Sequence, residues 1–132
     1  MIIVITGASS GIGRETAIRL SENQENKIYA IARNRKALIT LSEAAGNKNI
    51  IPVAMDIASG RSSLSELRNR LEKEGGRVDI LINNAGHLVN KPFEDHTEDD
   101  ITESVSVNFT AAARLMGELL PLMARGSHVV NI

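Results

Sequence analysis

The chain has 132 residues and a net charge of −1 at pH 7, and 42% of its residues are hydrophobic, 23% charged and 2% aromatic. These values are typical of one globular domain, and they exclude a basic nucleic-acid-binding surface or an aromatic platform for single strands. The lack of cysteine excludes disulfides, thiolate catalysis and cysteine–metal sites. The sequence also contains no H-E-x-x-H segment, which would have predicted a metal site of another kind. Because the sequence shows neither a basic leader nor an apolar run of membrane-spanning length, we expect a cytoplasmic protein that binds neither nucleic acid nor membrane.

Five apolar segments alternate with segments whose apolar residues recur at helical spacing. The predicted strands are residues 2–5, 27–32, 49–55, 78–82 and 128–132. The predicted helices lie around residues 12–20, 37–45, 64–71 and 101–119, and Gly46-Asn47 is expected to end the second. This alternation predicts an α/β fold, a doubly wound parallel sheet in which right-handed crossovers give the strand order 3-2-1-4-5.

Local residues indicate where some of these elements lie and begin. Pro52 is inside the third strand, and because proline cannot donate to a neighbouring strand, we expect this strand at a sheet edge. Ser63 with Glu66 predicts a capping box at the start of the third helix. Thr97 with Asp100 predicts a cap for the longest helix.

A glycine-rich turn, T-G-A-S-S-G-I-G over residues 6–13, joins the first strand to the first helix. Gly7 allows a sharp turn with positive φ, Gly11 removes a side chain where backbone must approach a ligand, and Gly13 lets the helix pack closely on the strand. The helix N-terminus then offers free N–H groups, and Ser9 and Ser10 add hydroxyl donors. This arrangement suits the pyrophosphate of a dinucleotide.

A basic residue follows the second strand at the position that reads the adenosine ribose in dinucleotide sites. Arg33 lies twenty residues after Gly13, with Arg35 and Lys36 close by, and no acidic residue occurs from 27 to 42. An acid there would repel a 2′-phosphate, whereas a charge-assisted contact from arginine is worth about 1.5–3 kcal/mol. The sequence therefore predicts NADP(H) in preference to NAD(H), although a solvated basic helix start is the alternative.

The same turn also fits a different chemistry. Residues 7–11 match G-x-S-x-G, the nucleophile elbow of α/β-hydrolases, which would make Ser9 a nucleophile. Against this alternative, the turn follows the first strand, so little sheet precedes it. The elbow also leaves Gly13, Arg33 and the segment 83–86 without a role.

The segment N-N-A-G at residues 83–86 follows the fourth strand, at the sheet edge where open α/β sheets bind ligands. Together with T-G-x-x-x-G-x-G at residues 6–13, it resembles the short-chain dehydrogenase/reductase family. This resemblance, which covers essentially the whole chain, implies a Rossmann-like dinucleotide-binding domain over residues 1–132. The cofactor-binding residues that we predict are Gly7, Ser9, Ser10, Gly11, Ile12, Gly13, Arg33, Asp56, Ile57, Asn83, Ala85 and Gly86.

Two further positions take a role from the resemblance. Asp56 follows the third strand and matches the family's acid that contacts the adenine, with the backbone of Ile57 helping; a simple strand-end turn is the alternative. Asn108 lies on the apolar stripe of the long helix, where its amide must find hydrogen-bond partners. It resembles the family's active-site asparagine, which supports a water in a proton relay, and this role is compatible with a structural hydrogen bond.

The resemblance implies hydride transfer between NADP(H) and a small carbonyl or alcohol substrate, by an enzyme that forms a homo-oligomer. The family's catalytic serine, tyrosine and lysine follow its fifth strand. Here the single tyrosine, Tyr29, lies in the second strand, and Arg33 stands four residues later. We therefore expect the N-terminal part of a longer enzyme, lacking the C-terminal strands and helices and inactive alone; the alternative is a non-catalytic NADP-binding or regulatory domain.

Overall fold

The computed structural model of the chain describes residues 1–46 and 49–132, so Asn47, at the predicted end of the second helix, lies outside the described residues. Strands and helices alternate along it. The strands are β1 (Ile2–Thr6), β2 (Lys27–Ala32), β3 (Ile50–Ala54), β4 (Ile80–Asn83) and β5 (His128–Asn131). The helices are α1 (Gly11–Ser21), α2 (Arg35–Ala44), α3 (Arg61–Glu74), α4 (Glu98–Val105) and α5 (Ala112–Leu119).

The five strands form one parallel sheet in the order β3-β2-β1-β4-β5, which confirms the predicted order. Strand β3 lies at the edge, as its proline requires, and Pro52 pairs in register with Ala30 of β2. Strand β4 begins two residues later than predicted. The N–H of Val78 donates to the carbonyl of Leu122 (2.8 Å) and not to a neighbouring strand.

Helices cover both faces of the sheet because the strands are apolar on both sides. On one face, Ile3 and Ile5 of β1 belong to a buried cluster with Leu38 and Leu41 of α2. On the other face, Val4 belongs to a cluster that includes the buried leucines of α3 and α5. The alternation of side chains along a strand thus divides β1 between two cores, and the carboxyl edge of the sheet is left open between them.

The predicted capping box of α3 is wrong. The helix begins at Arg61, two residues before Ser63, and Gly60 occupies the N-cap position with a φ of 116°. Glycine adopts this conformation readily, so the chain turns into the helix there without a side-chain cap. Ser63 lies within the first turn, where its hydroxyl oxygen is 3.1 Å from that of Ser59.

The long helical segment is interrupted at its centre. Between α4 and α5 the residues Ser106–Ala111 form a π-helical turn, and Leu120–Leu122 close the segment as a 3₁₀ turn. The wider π turn shifts the phase of the apolar stripe. Ile101 and Val105, which the sequence places on that stripe, are 46% and 52% exposed, whereas Leu115 in α5 is fully buried.

The predicted cap of α4 is confirmed. The hydroxyl oxygen of Thr97 accepts the N–H of Asp100 (3.2 Å), and the Asp100 carboxylate accepts the N–H of Thr97 (2.7 Å). Hydrogen bonds from the Lys91 ammonium and from Thr97 hold the pKa of Asp100 below its usual range. The carboxylate therefore contributes fully at neutral pH, and its contribution declines as the pH falls below about 4, the pKa of aspartate in an unfolded chain.

We expect Thr97→Ala to lower the free energy of unfolding by about 0.5–2 kcal/mol, because the helix start loses its hydroxyl cap. Urea titration at pH 7 measures the change. Thr40→Ala, on the exposed face of α2, is the matched control and should leave stability unchanged or slightly higher. Equal midpoints for the two variants would show that the cap contributes nothing.

Candidate cofactor site

A cleft of about 620 Å³ opens at the carboxyl ends of β1 to β4. The predicted cofactor-binding residues line it, apart from Gly13 and Asn83: Gly7, Ser9, Ser10, Gly11, Ile12, Arg33, Asp56, Ile57, Ala85 and Gly86. The turn after β1, the turn after β2, the end of β3 and the segment after β4 thus meet at one site. A parallel sheet brings these chain segments together because all its strands end at the same edge.

The glycine turn has the backbone that the sequence predicts. Gly7 and Gly11 have φ values of 67° and 54°, in the left-handed region that favours glycine. Ser10 is the N-cap of α1, and its side chain makes no cap hydrogen bond. Ser10, Gly11 and Ile12, at the start of this helix, line the cleft. This helix start is suited to an anionic group.

Gly13 lies behind the cleft wall and sets how closely α1 approaches the sheet. A Cβ atom at Gly13 would lie 2.4 Å from Nδ2 of Asn84 and 2.6 Å from the carbonyl oxygen of Gly7. Both distances are too short for any side chain. The packing role predicted for Gly13 therefore has a direct steric basis.

Asn84 fastens the segment after β4 to the glycine turn. Its side-chain Nδ2 donates to the carbonyl oxygens of Thr6 (3.0 Å) and Gly7 (3.3 Å). In return, the hydroxyl oxygen of Thr6 accepts the N–H groups of Asn84 and Ala85, both at 3.0 Å. Asn84 also lines the cleft, although it is not among the binding residues predicted from the sequence. Its position in the N-N-A-G segment is the sequence feature that could have indicated this location.

Asn83 is placed away from the main cleft. The residue is 6% exposed, and its side-chain Nδ2 donates to Oδ1 of Asn131 (2.9 Å), which joins β4 to β5. Any contribution of its side chain to the cofactor site is thus indirect. Its neighbours Ala85 and Gly86 reach the cleft because β4 ends at Asn83.

The turn after β2 forms the basic end of the cleft. Arg33 lines the cleft and is exposed. Within residues 1–46 and 49–132, no carboxylate forms an ion pair with its guanidinium. Asn34, which is not among the predicted binding residues, also lines the cleft and caps α2. An asparagine directly before a helical apolar pattern is the signal that predicts such a cap.

Asp56 forms the strand-end turn and also lines the cleft. Its Oδ1 accepts the N–H of Ala58 (2.9 Å), and the Ser59 hydroxyl donates to its carbonyl oxygen (2.6 Å), so a strand-end turn is present. The same residue lines the cleft beside Ile57. The turn therefore fixes the backbone that presents this carboxylate to the cleft.

Asn108 lies in the π turn and is bonded to the loop that follows β4. Its Oδ1 accepts the N–H of His87 (2.7 Å), and its Nδ2 donates to the carbonyl oxygen of His87 (2.9 Å). Asn108 is nevertheless exposed, so the burial expected from its place on the apolar stripe is wrong, although both polar atoms of its amide have a partner. The adjoining Val107 lines the main cleft, so the pair of bonds holds the π turn at its border.

Neither a metal site nor a membrane span is found among the described residues. Over residues 1–46 and 49–132, no group of three or more histidine, aspartate or glutamate side chains is placed to hold a metal ion. In the same part of the chain, no helix has the length and apolarity needed to cross a membrane.

Comparison with known proteins identifies the family. The family described as short chain dehydrogenase matches residues 1–132. An uncharacterized oxidoreductase from Staphylococcus saprophyticus is 32% identical over 99% of this chain and 53% of its own length. Mouse 17-beta-hydroxysteroid dehydrogenase type 1 is 35% identical over 94% of this chain and 37% of its own length.

A solved structure of a short-chain dehydrogenase is also similar to this chain. The short-chain dehydrogenase from Streptomyces avermitilis superposes with a TM-score of 0.85 at 31% identity, over 98% of this chain and 47% of that one. The chain therefore spans about half the length, or less, of these three proteins. The match also favours the dehydrogenase interpretation of the glycine turn over the hydrolase elbow at Ser9. With the glycine turn, the N-N-A-G segment and the sheet order in agreement, this chain belongs to the short-chain dehydrogenase family.

Proposed function

We propose that residues 1–132 form the dinucleotide-binding part of an NADP(H)-dependent oxidoreductase. The observation that carries the NADP(H) assignment is the position of Arg33 at the cleft, in a stretch from 27 to 42 that holds no acidic residue. The family membership supports a nicotinamide cofactor. The oxidoreductase names of the relatives favour this function over a non-catalytic NADP-binding domain.

Each part of the cleft then has a binding task. The N–H groups at the start of α1 and the hydroxyls of Ser9 and Ser10 donate to the pyrophosphate. Asp56 accepts a hydrogen bond from the adenine, and the guanidinium of Arg33 binds the 2′-phosphate. Bound NADP(H) supplies or accepts the hydride in the reaction.

Asn108 acts at the border of the cleft. Because His87 occupies both polar atoms of its amide, Asn108 holds the π turn against the loop after β4. We infer that this fixed turn supports the water of the family's proton relay. The role of Asn108 is therefore that of a positioning residue.

Substrate, assembly and location are properties of the whole protein. We propose a small carbonyl or alcohol substrate, a homo-oligomeric assembly and a cytoplasmic location for it. The single tyrosine of this chain, Tyr29, is buried in β2 and donates its hydroxyl to Glu74 (2.7 Å), outside the cleft. The 132 residues thus offer no tyrosine for proton transfer, and we expect no turnover from them alone.

Fluorescence titration with NADPH and NADH tests the cofactor assignment. We expect NADPH to bind the purified chain at least about tenfold more tightly, since only NADPH carries the phosphate that Arg33 binds. Equal affinities would contradict the NADP(H) assignment. Failure of both nucleotides to bind a folded sample would contradict the binding function itself.

A further inference from the structure

Methionine is the only sulfur-containing residue type in this chain, and one methionine lies at the cofactor cleft. The sequence has four methionines and no cysteine, so thioethers are its only sulfur groups open to oxidation. All four lie within the described residues, and Met55 alone lines the cleft, directly after β3 and before Asp56. An oxidant that enters the open cleft therefore meets a thioether inside the proposed nucleotide site.

Met55 is held between the apolar core and the cleft. Its N–H donates to the carbonyl oxygen of Ala32 (3.0 Å), which ties the residue to the end of β2. Met55 is partly buried and packs against the apolar cluster that includes Val4 and Leu115. A polar atom added to this side chain would face either the cluster or the cleft, because the backbone bond fixes where the side chain begins.

The chemical change is the oxidation of the Met55 thioether by a hydroperoxide. One peroxide oxygen is transferred to the sulfur, which gives up two electrons, and the other oxygen leaves in water or an alcohol. The product, methionine sulfoxide, is polar, whereas the thioether is apolar and flexible. The new oxygen would be a hydrogen-bond acceptor next to the Asp56 carboxylate, which is also an acceptor. This end of the cleft would then offer less apolar surface to a ligand.

We propose that Met55 is an oxidation site that makes nucleotide affinity sensitive to peroxide, and that bound nucleotide shields it. The inference rests on the proposed NADP(H) function, in which the adenine lies at Asp56, next to Met55. Nucleotide covers the thioether, so the empty cleft is oxidised faster than the occupied one. The sulfoxide weakens nucleotide binding until a methionine sulfoxide reductase, with a dithiol as reductant, removes the oxygen as water.

Oxidation by hydrogen peroxide, followed by peptide mass spectrometry, tests the shielding. The chain is oxidised with and without NADP⁺ at about ten times its dissociation constant; NADP⁺ is used because it cannot reduce the peroxide. We expect NADP⁺ to slow the oxidation of Met55 by up to about tenfold, since only about one chain in eleven is then empty. The internal references are Met1, which is exposed, and Met123, which is partly buried outside the cleft; their oxidation rates should not change.

Met55→Leu tests the effect on affinity, because leucine keeps the volume and the apolar character but has no sulfur. After peroxide treatment and removal of the peroxide, we expect the NADPH affinity of the original chain to fall about threefold to tenfold. The affinity of Met55→Leu should stay within about twofold of its untreated value. Met123→Leu is the matched control and should lose affinity as the original chain does. Urea midpoints of all samples separate a local change at the cleft from general damage.

The outcomes distinguish this proposal from the function on which it rests. Slower oxidation of Met55 with NADP⁺, together with a loss of affinity that Met55→Leu prevents, supports the role of Met55. If the original chain binds NADPH but Met55 is not shielded, or peroxide leaves the affinity unchanged, that role is wrong while the NADP(H) function stands. If the untreated, folded chain binds neither NADPH nor NADP⁺, both proposals are overturned. Should Met55→Leu not fold, the shielding and the affinity of the oxidised original chain still decide.

Discussion

Arg33→Asp is expected to reverse the nucleotide preference of this chain. The substitution removes a charge-assisted contact worth about 1.5–3 kcal/mol, which corresponds to roughly tenfold to a hundredfold in NADPH affinity. It also introduces a carboxylate that repels the 2′-phosphate and can accept the ribose 2′-hydroxyl of NADH. Fluorescence titration of both nucleotides measures the two dissociation constants, and NADH should become the tighter ligand.

The control for this experiment must change the net charge equally at a distance from the cleft. Arg125→Asp meets this requirement, because Arg125 is exposed in the loop that precedes β5 and does not line the cleft. We expect Arg125→Asp to keep the preference for NADPH. If both variants shift the preference by the same factor, the effect comes from net charge, and the assignment of Arg33 fails.

Gly13→Ala is expected to disrupt the cofactor site and the fold together. The added methyl would meet Nδ2 of Asn84 at 2.4 Å and the carbonyl oxygen of Gly7 at 2.6 Å, so α1 must move away from the turn. Overpacking of this kind costs about 1–3 kcal/mol of stability. Because the shifted N–H groups no longer match the pyrophosphate, we also expect at least about tenfold weaker NADPH binding.

Gly117→Ala is the matched control, since Gly117 is also helical but a methyl group added there would meet no described neighbour within 4 Å. Alanine is the better helix former, so this variant should be more stable by up to about 1 kcal/mol. The urea midpoints of the two variants should shift in opposite directions. NADPH titrations of both variants measure the effect on binding. A Gly13→Ala variant that binds and unfolds like the original chain would refute the steric argument.

The glycine turn and the sheet order could be predicted from the sequence because both depend on local rules. Alternating apolar segments and right-handed crossovers leave few arrangements, and Pro52 independently places the third strand at an edge. Positive φ at Gly7 and Gly11 follows from the sharpness of a strand–helix turn. The basic end of the cleft was predictable from the spacing between Gly13 and Arg33.

Other features were outside the reach of local rules. The π turn at 106–111 escapes prediction because apolar spacings of three and four residues fit an uninterrupted helix equally well. The Ser63–Glu66 pattern suggested a cap, but the conformation of Gly60 decides where α3 begins. The bonds from Asn84 to Thr6 and Gly7 join residues that are 78 and 77 positions apart, so only the assembled sheet shows them.

Those long-range bonds have a consequence for the order in which the protein matures. The glycine turn is synthesised before β4, yet the carbonyl oxygens of Thr6 and Gly7 gain the Asn84 side chain as a donor only after β4 has paired with β1. Closing a loop of this length is one of the slower events in forming a domain. We therefore expect the proposed nucleotide binding to require this central strand pairing, because a nascent chain that ends before residue 84 carries the glycine turn without the Asn84 bonds.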